Sequence, residues 1–505
     1  MTDPANPAEA RTESQPEPHS VAIVGGGLAG LTAAYYLKAA KPDWHVTVFE
    51  RHTRVGGKVR TSSRGGFTFD WGPNGFLTNV EDTLRLVWDL GLSEELQPAS
   101  DAAKLRYLYR DGALRELPSS PQAFLRTSLL SSGAKAKAAL EFVTGKPADS
   151  EETVFEFIER HFGGEVAETF AEAAVLGITA GDAKELSVDA LFPRFRLLEQ
   201  KHGSLLKAMM RSRGKAGRLT SFREGGAQRL VDALKLELER DTALGVGVVG
   251  IAPLEPGFEL ALSTGVSTQV DEVILATPAF VSGELIEGFL PGAAAQLKDI
   301  EYADVAVFGV GFNRVDVPLE LDGFGFLVPR GEGVRALGVL WSSVVFDDQA
   351  PEGQVMLRVI CGGTLDPGFM ELSDAEAMQS VRDDLRLTMG IAGEPTFFDG
   401  VKWPGGIPQY ALGHTKRVGS IMMSLQKYPG LYVCGNAYNG VGINDTVRDA
   451  RRAVAQITGA PPEDAGLEPG ETKVIIGNDA YNSPVPSQPV AGQEVNWDAE
   501  EIVNK

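Results

Sequence analysis

A glycine-rich turn near the N-terminus carries the residues best suited to chemistry. Gly25, Gly27 and Gly30 satisfy the spacing GxGxxG, directly after the apolar run 21–24 and at the start of a helix-forming segment. Glu50 ends the next predicted strand, twenty residues beyond Gly30. Such glycines allow a tight turn and a close approach of pyrophosphate to the helix N-terminus, and the acid accepts hydrogen bonds from a ribose diol. The pattern predicts a dinucleotide site and disfavours NADP, because Glu50 would repel a 2′-phosphate.

Further segments resemble parts of the glutathione-reductase-like FAD proteins and narrow the dinucleotide to FAD. The run 50–58 matches their ExxxxxGG[RK] extension, whose second glycine pair passes beside the FAD pyrophosphate. The run 430–436 resembles the strand-then-Gly-[DN] motif that holds the ribityl and phosphate end of FAD. The run 275–278 resembles the turn that closes the same nucleotide domain. The resemblance implies further contacts with the cofactor by Gly56, Gly57, Lys58, Thr277, Gly435 and Asn436.

The spacing of apolar residues predicts the elements that must position these motifs. A helix is expected over 230–238, and strands are expected at 21–24, 46–50, 245–251 and 273–276. Residues 82–220 carry apolar side chains at helical spacing and are predicted to be mostly helical. Residues 302–362 have the pattern of a β meander, with strands at 305–312, 326–328, 336–341 and 355–360.

Length and composition describe a soluble, acidic protein of two or three domains. The 505 residues exceed one ordinary core, and 47 basic against 68 acidic side chains give a net charge of −21. A field of that sign argues against nucleic acid as a partner and against adhesion to anionic lipid by charge alone. No run approaches the roughly 18–20 apolar residues of a membrane span, and the N-terminus lacks the pattern of a secretory signal. Two cysteines and six scattered histidines indicate a reducing cytoplasm and no structural metal.

Six further segments, in their order and spacing, resemble the protoporphyrinogen/coproporphyrinogen oxidase family within the amine-oxidase-like flavoproteins. The resemblance covers nearly all of 20–458 and is carried by 69–76, 177–182, 323–329, 336–343, 407–414 and 439–445. It implies an α/β (mixed α+β) fold with a discontinuous Rossmann-like FAD-binding domain of the glutathione-reductase-like type. The expected divisions are a disordered arm at 1–19, an FAD-binding domain from 20–81, 222–300 and 425–458, a helical subdomain at 82–221, a β-rich substrate-binding domain with a mixed sheet at 301–424, and an acidic, proline-rich, mostly disordered tail at 459–505.

The resemblance also implies roles for individual residues. Arg106 aligns with an arginine that pairs with a substrate propionate, and Asn74 is assigned to both the substrate and the cofactor. Apolar contacts with the tetrapyrrole and a loop at the pocket wall are expected from Leu327, Leu340, Ile360, Gly177, Ala180 and Gly181. The residues expected to flank the isoalloxazine are Gly72, Pro73, Asn74, Gly442, Ile443 and Asn444.

The reaction of this family suits these residue types. A porphyrinogen is a non-planar, largely apolar macrocycle with carboxylate rim groups, so it needs a roomy apolar pocket with few charged anchors. The planar guanidinium of Arg106 can hold a carboxylate through two hydrogen bonds. Hydride would pass from a bridging methylene carbon to flavin N5, and six electrons would leave in three flavin cycles, with oxygen reduced to hydrogen peroxide. No side chain is therefore predicted to be catalytic.

Several alternatives stay open on the sequence alone. The substrate is coproporphyrinogen III or protoporphyrinogen IX, and an acidic protein without a clear membrane anchor favours the more polar coproporphyrinogen. An amine oxidase or a carotenoid-type desaturase would need an aromatic cage or a membrane-facing tunnel. A non-catalytic escort protein of the prenyl-GTPase-chaperone type would have lost the flavin motifs, which are intact here. Two partners are also left open: the inner face of a membrane, touched peripherally through the mildly amphipathic segment 124–137, and a ferrochelatase.

Overall fold

Strands and helices alternate along the chain in the computed structural model, which describes residues 18–211 and 217–459. The predicted arm up to residue 17 and the predicted tail from residue 460 lie outside the described residues. The predicted α/β class is confirmed, since helices cover both faces of a parallel sheet and further sheets are antiparallel or mixed.

The described strands are, in chain order, β1 (Ser20–Val24), β2 (His45–Glu50), β3 (Thr61–Arg64), β4 (Phe67–Asp70), β5 (Phe76–Leu77), β6 (Leu96–Pro98), β7 (Tyr107–Arg110), β8 (Ala113–Glu116), β9 (Leu219–Phe222), β10 (Thr242–Leu244), β11 (Val248–Pro253), β12 (Phe258–Leu262), β13 (Ser267–Val270), β14 (Glu272–Leu275), β15 (Tyr302–Asn313), β16 (Gly325–Leu327), β17 (Ala336–Leu340), β18 (Gln354–Gly362), β19 (Phe397–Pro408) and β20 (Leu431–Val433).

The described helices are α1 (Leu28–Ala40), α2 (Glu81–Asp89), α3 (Pro121–Arg126), α4 (Ser132–Thr144), α5 (Val154–Phe162), α6 (Gly164–Val166), α7 (Glu172–Thr179), α8 (Val188–Leu191), α9 (Pro193–His202), α10 (Leu205–Arg211), α11 (Gln228–Glu237), α12 (Ala279–Ile286), α13 (Pro291–Lys298), α14 (Ser342–Val345), α15 (Asp374–Met389), α16 (His414–Leu425) and α17 (Ile443–Thr458). None of these helices is long and apolar enough to cross a membrane.

A parallel sheet in the order β10-β2-β1-β14-β20 holds the first glycine turn. Alternate residues of β1 face opposite sides, and both sides are covered. Val21 and Ile23 pack with α1, α11 and α17, whereas Ala22 and Val24 pack with α12, α13 and α16. Because all five strands run in one direction, their carboxyl ends meet at one edge. The residues that follow those ends include the predicted cofactor contacts.

A second sheet of seven strands, in the order β19-β15-β18-β17-β16-β7-β8, contains the predicted meander. All of its neighbouring pairs are antiparallel except β16 and β7, which run parallel. The predicted strands of the meander are present, and the long strand β19 extends the sheet beyond β15.

The region 82–220 contains strands as well as the helices that its apolar spacing predicts. The hairpin of β7 and β8 joins the seven-stranded sheet, with Leu108 opposite Leu327. The run Tyr107-Leu108-Tyr109 consists of residues that favour strands, and Leu108 is fully buried. Because this hairpin from the region 82–220 joins the seven-stranded sheet, Arg106, the residue directly before β7, lies at that sheet.

A buried ion network joins four helices of this region. The ring of His161 on α5 lies between two carboxylates, with Nδ1 at 2.8 Å from Glu141 Oε1 and Nε2 at 3.0 Å from Glu199 Oε1. Nε2 of the same ring also lies 3.3 Å from Nη1 of Arg160. Glu199 also pairs with Arg196 at 2.7 Å, and Glu141 accepts from the Leu205 amide at the start of α10 at 2.7 Å. Charged side chains thus hold α4, α5, α9 and α10 together in the interior.

Candidate cofactor and substrate site

The first glycine turn forms an open cradle at the N-terminus of α1. A Cβ on Gly30 would lie 2.0 Å from the Gly25 carbonyl oxygen, so the helix packs directly on the turn. A Cβ on Gly27 would meet no heavy atom of the described residues within 4 Å, and no described side chain caps the helix. Uncapped amides at a helix N-terminus bind phosphate oxygens. The cradle therefore fits the pyrophosphate of FAD, and Thr277 lies beside it, with its Cγ2 3.2 Å from a Cβ placed on Gly25.

Glu50 ends β2 at the same edge of the sheet and is 8% exposed. Its Oε2 accepts from the Gly26 amide at 2.8 Å, and its Oε1 accepts from the His52 amide at 2.8 Å. Each carboxylate oxygen offers a second lone pair, so these two bonds orient the side chain and leave it able to accept from a ribose hydroxyl.

The second glycine pair lies against the first turn. The Gly56 amide donates to Gly26 O at 2.7 Å, and a Cβ on Gly57 would lie 3.3 Å from the Cα of Gly27. Gly57 has a φ of +56°, a left-handed conformation that glycine adopts readily. The two predicted glycine motifs are therefore neighbours in space.

Lys58 extends from this pair toward β19. Its Nζ donates to Gly405 O at 2.6 Å and lies 5.5 Å from the ring centre of Tyr302. Burial lowers the pKa of Lys58 to about 8. No carboxylate of the described residues pairs with this amine, so its remaining N–H donors are available to an anion such as a phosphate.

The C-terminal motif is held by two acids of α17. Asp449 accepts from the Gly435 amide at 2.9 Å and from the Asn439 side chain at 2.6 Å, and Asp445 accepts from the Gly442 amide at 3.2 Å. Burial raises the pKa of both carboxyl groups. The sequence analysis did not single out Asp449, although its spacing of four residues from Asp445 places both on one side of a helix.

Three of the predicted cofactor contacts lie at the start of α17. Gly442 is the residue before the helix, and Ile443 is buried. Asn444 donates through Nδ2 to Leu77 O at 2.9 Å, while its Oδ1 is buried with no partner among the described residues. The Asn444 side chain thus fixes β5 and keeps one acceptor unused.

The turn of Gly72, Pro73 and Asn74 lies between the second glycine pair and the seven-stranded sheet. A Cβ on Gly72 would lie 1.9 Å from Lys58 O, so the turn packs directly on that backbone. Gly72 O accepts from the guanidinium of Arg358, a residue of β18 that the sequence analysis did not identify. Arg358 is buried, which lowers its pKa to about 10.

The apolar residues predicted to face a tetrapyrrole lie on one face of the seven-stranded sheet. Gly338 of β17 is opposite both Leu327 and Ile360, and Leu340 is two residues further along β17. Residues directly opposite each other, or two apart on one strand, point to the same side of a sheet. Leu327, Leu340 and Ile360 are each half-buried.

The predicted wall loop packs on this face. Gly177 lies in the last turn of α7 and not in a loop, and a Cβ on it would lie 3.0 Å from the Leu327 methyl groups. Ala180, which follows the helix, packs in a small apolar cluster with Ile360. A Cβ on Gly181 would lie 2.1 Å from Gln409 Oε1, so Gly181 approaches the segment that follows β19. The structure therefore brings the predicted wall and sheet residues together.

Arg106 directly precedes β7, at the edge where β7 meets β16. Its guanidinium lies 5.1 Å from the ring centre of Phe324, and none of the described carboxylates pairs with it. The side chain is accessible to solvent, yet the surrounding protein lowers its pKa through loss of hydration. The Arg106 charge therefore has no partner carboxylate among the described residues and stays available to an anionic group.

His414 is a buried histidine whose pKa is lowered, so the stability of the protein should depend on pH. It is 1% exposed, and burial lowers its pKa to about 4. Between pH 6.5 and 4 the unfolded chain therefore binds a proton that the folded chain does not, so stability falls as the pH is lowered through this window. From pH 7 to pH 5 we expect His414 to account for a loss of about 2 kcal/mol.

The measurement is the melting temperature of the wild type and of His414→Phe at both pH values. The variant keeps an aromatic ring against Tyr410 and should lose less stability on acidification. Exposed His45→Gln is the control and should follow the wild type. Equal losses in the wild type and His414→Phe would contradict the assignment.

Comparison with known proteins gives a consistent result. The family model described as flavin containing amine oxidoreductase matches residues 28–458. The chain is 32% identical over 457 residues to the coproporphyrinogen III oxidase of Bacillus subtilis (strain 168), covering 86% of this chain and 97% of that protein. It is also 32% identical over 482 residues to the protoporphyrinogen oxidase of Bos taurus, covering 88% of this chain and 99% of that protein.

Solved structures agree with these sequence matches. A crystal structure from Exiguobacterium sp. 255-15, provisionally assigned as a protoporphyrinogen oxidase, superposes with a TM-score of 0.78 at 28% identity, over 88% of this chain and 99% of that chain. The cyclohexylamine oxidase of Brevibacterium oxydans IH-35A shares the fold, with a TM-score of 0.65 at 18% identity over 88% of this chain and 99% of that chain.

Proposed function

Because this chain belongs to the flavin containing amine oxidoreductase family, we propose that it oxidises a porphyrinogen of haem biosynthesis, coproporphyrinogen III or protoporphyrinogen IX. The chain is an oxidoreductase whose cofactor is FAD. The observation that carries the proposal is the guanidinium of Arg106, which pairs with none of the described carboxylates and borders an apolar sheet face. Relatives named for these two substrates, aligned over most of the chain, support it.

Different residues of the site would bind the substrate and orient it relative to the cofactor. The apolar face of Leu327, Leu340 and Ile360 would receive the macrocycle and keep water from it, and Arg106 would hold one propionate at the rim. FAD, bound at the glycine cradles, supplies the electron acceptor. Holding one carbon of the substrate in a fixed place is then the main contribution of the chain to the rate.

The finer parts of the proposal concern stoichiometry and the next enzyme. Conversion of a porphyrinogen to a porphyrin removes six electrons and six protons, so a two-electron acceptor turns over three times. With oxygen as the final acceptor, each porphyrin formed should be accompanied by three molecules of hydrogen peroxide. A ferrochelatase is the expected recipient of the product, because a chelatase inserts iron into a finished porphyrin.

The test is anaerobic mixing of the holoenzyme with each porphyrinogen while the flavin absorbance near 450 nm is recorded. We expect bleaching within the turnover time by at least one of the two, and the faster one is the substrate. Admission of oxygen should restore the absorbance and release peroxide. Bleaching by an amine but by neither porphyrinogen would overturn the proposal and leave the FAD assignment intact.

Substitution of Arg106 tests the binding role directly. Arg106→Leu removes a charged hydrogen bond to the propionate, which is worth about 1.5–3 kcal/mol, so kcat/KM should fall roughly 10- to 100-fold. The loss should lie mainly in KM, since the propionate is bound equally before and during the reaction. Arg106→Lys should retain part of the affinity.

The matched control is Arg386→Leu on the exposed surface of α15, which should leave steady-state kinetics unchanged. If Arg106→Leu is folded, retains its flavin and has the KM of the wild type, Arg106 does not bind the substrate.

A further inference from the structure

The segment after β19 touches two parts of the site at once. Gln409 is 3% exposed, and its Nε2 donates at 2.9 Å to the carbonyl oxygen of Thr179, the last residue of α7, directly before the predicted wall residues Ala180 and Gly181. Its Oε1 is buried with no partner among the described residues and lies against Gly181. The Gln409 amide group therefore fixes the position of the wall loop relative to the end of β19.

The next residue makes its contacts in the opposite direction. The Tyr410 hydroxyl donates to Asn436 O at 2.6 Å and accepts from the Gly440 amide at 2.8 Å. Both groups belong to the loop that follows β20 and begins with the predicted FAD motif. Burial raises the pKa of Tyr410, so the hydroxyl stays protonated and remains a donor.

The Tyr410 ring itself is held firmly. It is 1% exposed and stacks on the His414 ring, with the centroids 4.0 Å apart and the planes at 13°. The backbone of Tyr410 also takes part, because its carbonyl accepts from the Ser187 amide at 2.8 Å, beyond the wall loop. Because the ring, hydroxyl and carbonyl of Tyr410 are all held, its segment and the loop after β20 are fixed relative to each other.

We propose that Gln409 and Tyr410 couple the two binding sites, with Tyr410 as a positioning residue for the FAD loop. Gln409 contacts the wall loop and Tyr410 contacts the FAD loop. Because the two residues are adjacent in the chain, the conformation of one loop influences the conformation of the other. Coupling of two binding sites is reciprocal. If bound tetrapyrrole raises the affinity for FAD by some factor, bound FAD raises the affinity for the tetrapyrrole by the same factor. The substrate half of this inference rests on the proposed function, whereas the FAD half does not.

The first measurement is the dissociation constant of FAD for the full chain without any tetrapyrrole, from flavin fluorescence. Tyr410→Phe keeps the ring stack and leaves Asn436 O and Gly440 N without their partner, so FAD should bind about 10-fold more weakly. The control is Tyr428→Phe, which loses a single hydroxyl contact of 3.3 Å to Phe289 O on the outer side of the nucleotide sheet. It should bind FAD as the wild type does.

The second measurement repeats the titration with saturating coproporphyrin III or protoporphyrin IX, the oxidised products. In the wild type at least one porphyrin should tighten FAD binding about fivefold or more. Gln409→Leu should bind FAD alone within about twofold of the wild type and lose most of this tightening. This variant also keeps the proposal testable should Tyr410→Phe fail to fold.

Each outcome bears on a different part of the inference. Wild-type affinity for FAD in Tyr410→Phe overturns its positioning role, whatever the substrate proves to be. Full tightening by a porphyrin in Gln409→Leu overturns the coupling. If the wild type binds neither porphyrin, both the coupling and the proposed function are wrong. The FAD affinity of Tyr410→Phe, measured without any porphyrin, would still test the positioning role of Tyr410 independently.

Discussion

Gly30→Ala should weaken FAD binding severely and destabilise the protein even without its cofactor. The added Cβ would lie 2.0 Å from the Gly25 carbonyl oxygen, a contact that the backbone can relieve only by moving α1 away from the turn. Such a shift misplaces the helix amides that would bind the pyrophosphate. We expect a loss of FAD affinity of more than about 100-fold, since displaced backbone donors remove several charge-assisted hydrogen bonds.

Gly27→Ala is the matched variant, because its Cβ would meet no heavy atom of the described residues within 4 Å. The apoprotein should keep the wild-type melting temperature, whereas FAD binding should weaken, because the methyl group would occupy space left for the cofactor. Thermal melting of the apoproteins and titration with FAD separate the two effects. Unchanged FAD affinity in both variants would mean that the cofactor lies elsewhere.

Glu199→Ala should cost about 3–5 kcal/mol of unfolding free energy, the largest effect on stability that the structure predicts. Glu199 is fully buried and accepts from His161, Arg160 and Arg196. Its removal breaks three contacts at once in a part of the interior shielded from water and leaves a cavity where the side chain was. The neighbouring groups keep other carboxylates, Glu152 for both arginines and Glu141 for His161, so the cost comes from the lost hydrogen bonds and packing. Urea denaturation of the holoenzyme, followed by tryptophan fluorescence, measures the loss.

The surface pair of Arg382 and Glu394 provides the control, because Glu394 is largely exposed. Glu394→Ala should cost less than about 1 kcal/mol. Similar losses for the two variants would show that the network around Glu199 contributes no more than an ordinary surface pair.

The cofactor turn could be predicted from sequence because its determinants are local. The strand, the glycines and the helix of the first turn lie within 21 consecutive residues, 20–40, and Glu50 ends the next strand. The strands of the meander could be predicted for the same reason, since buried apolar runs of suitable length mark them. The α/β class, which the family resemblance implied, agrees with these elements.

Contacts made by residues far apart in the chain could not be predicted in this way. The hairpin of β7 and β8 belongs to a sheet whose other strands begin near residue 302, so helical spacing around it gave no sign of the pairing. Arg358, Asp449 and Tyr410 act through hydrogen bonds to backbone groups of other segments. Such bonds follow from the assembled fold and leave no pattern in the sequence. The roles assigned to Arg106 and the apolar wall stay predictions until the substrate is tested.

The order of strands in the nucleotide sheet has a consequence for synthesis on the ribosome. β1 lies between β2 and β14, and β14 pairs in turn with β20. One edge of β1 therefore stays unpaired until β14, about 250 residues later in the chain, has been synthesised. At translation rates of about 5–20 residues per second, that edge stays unpaired for roughly 10–50 s. An edge with unpaired backbone N–H and C=O groups and apolar side chains on both faces is a place where nascent chains can associate, so early shielding of this strand would favour correct folding.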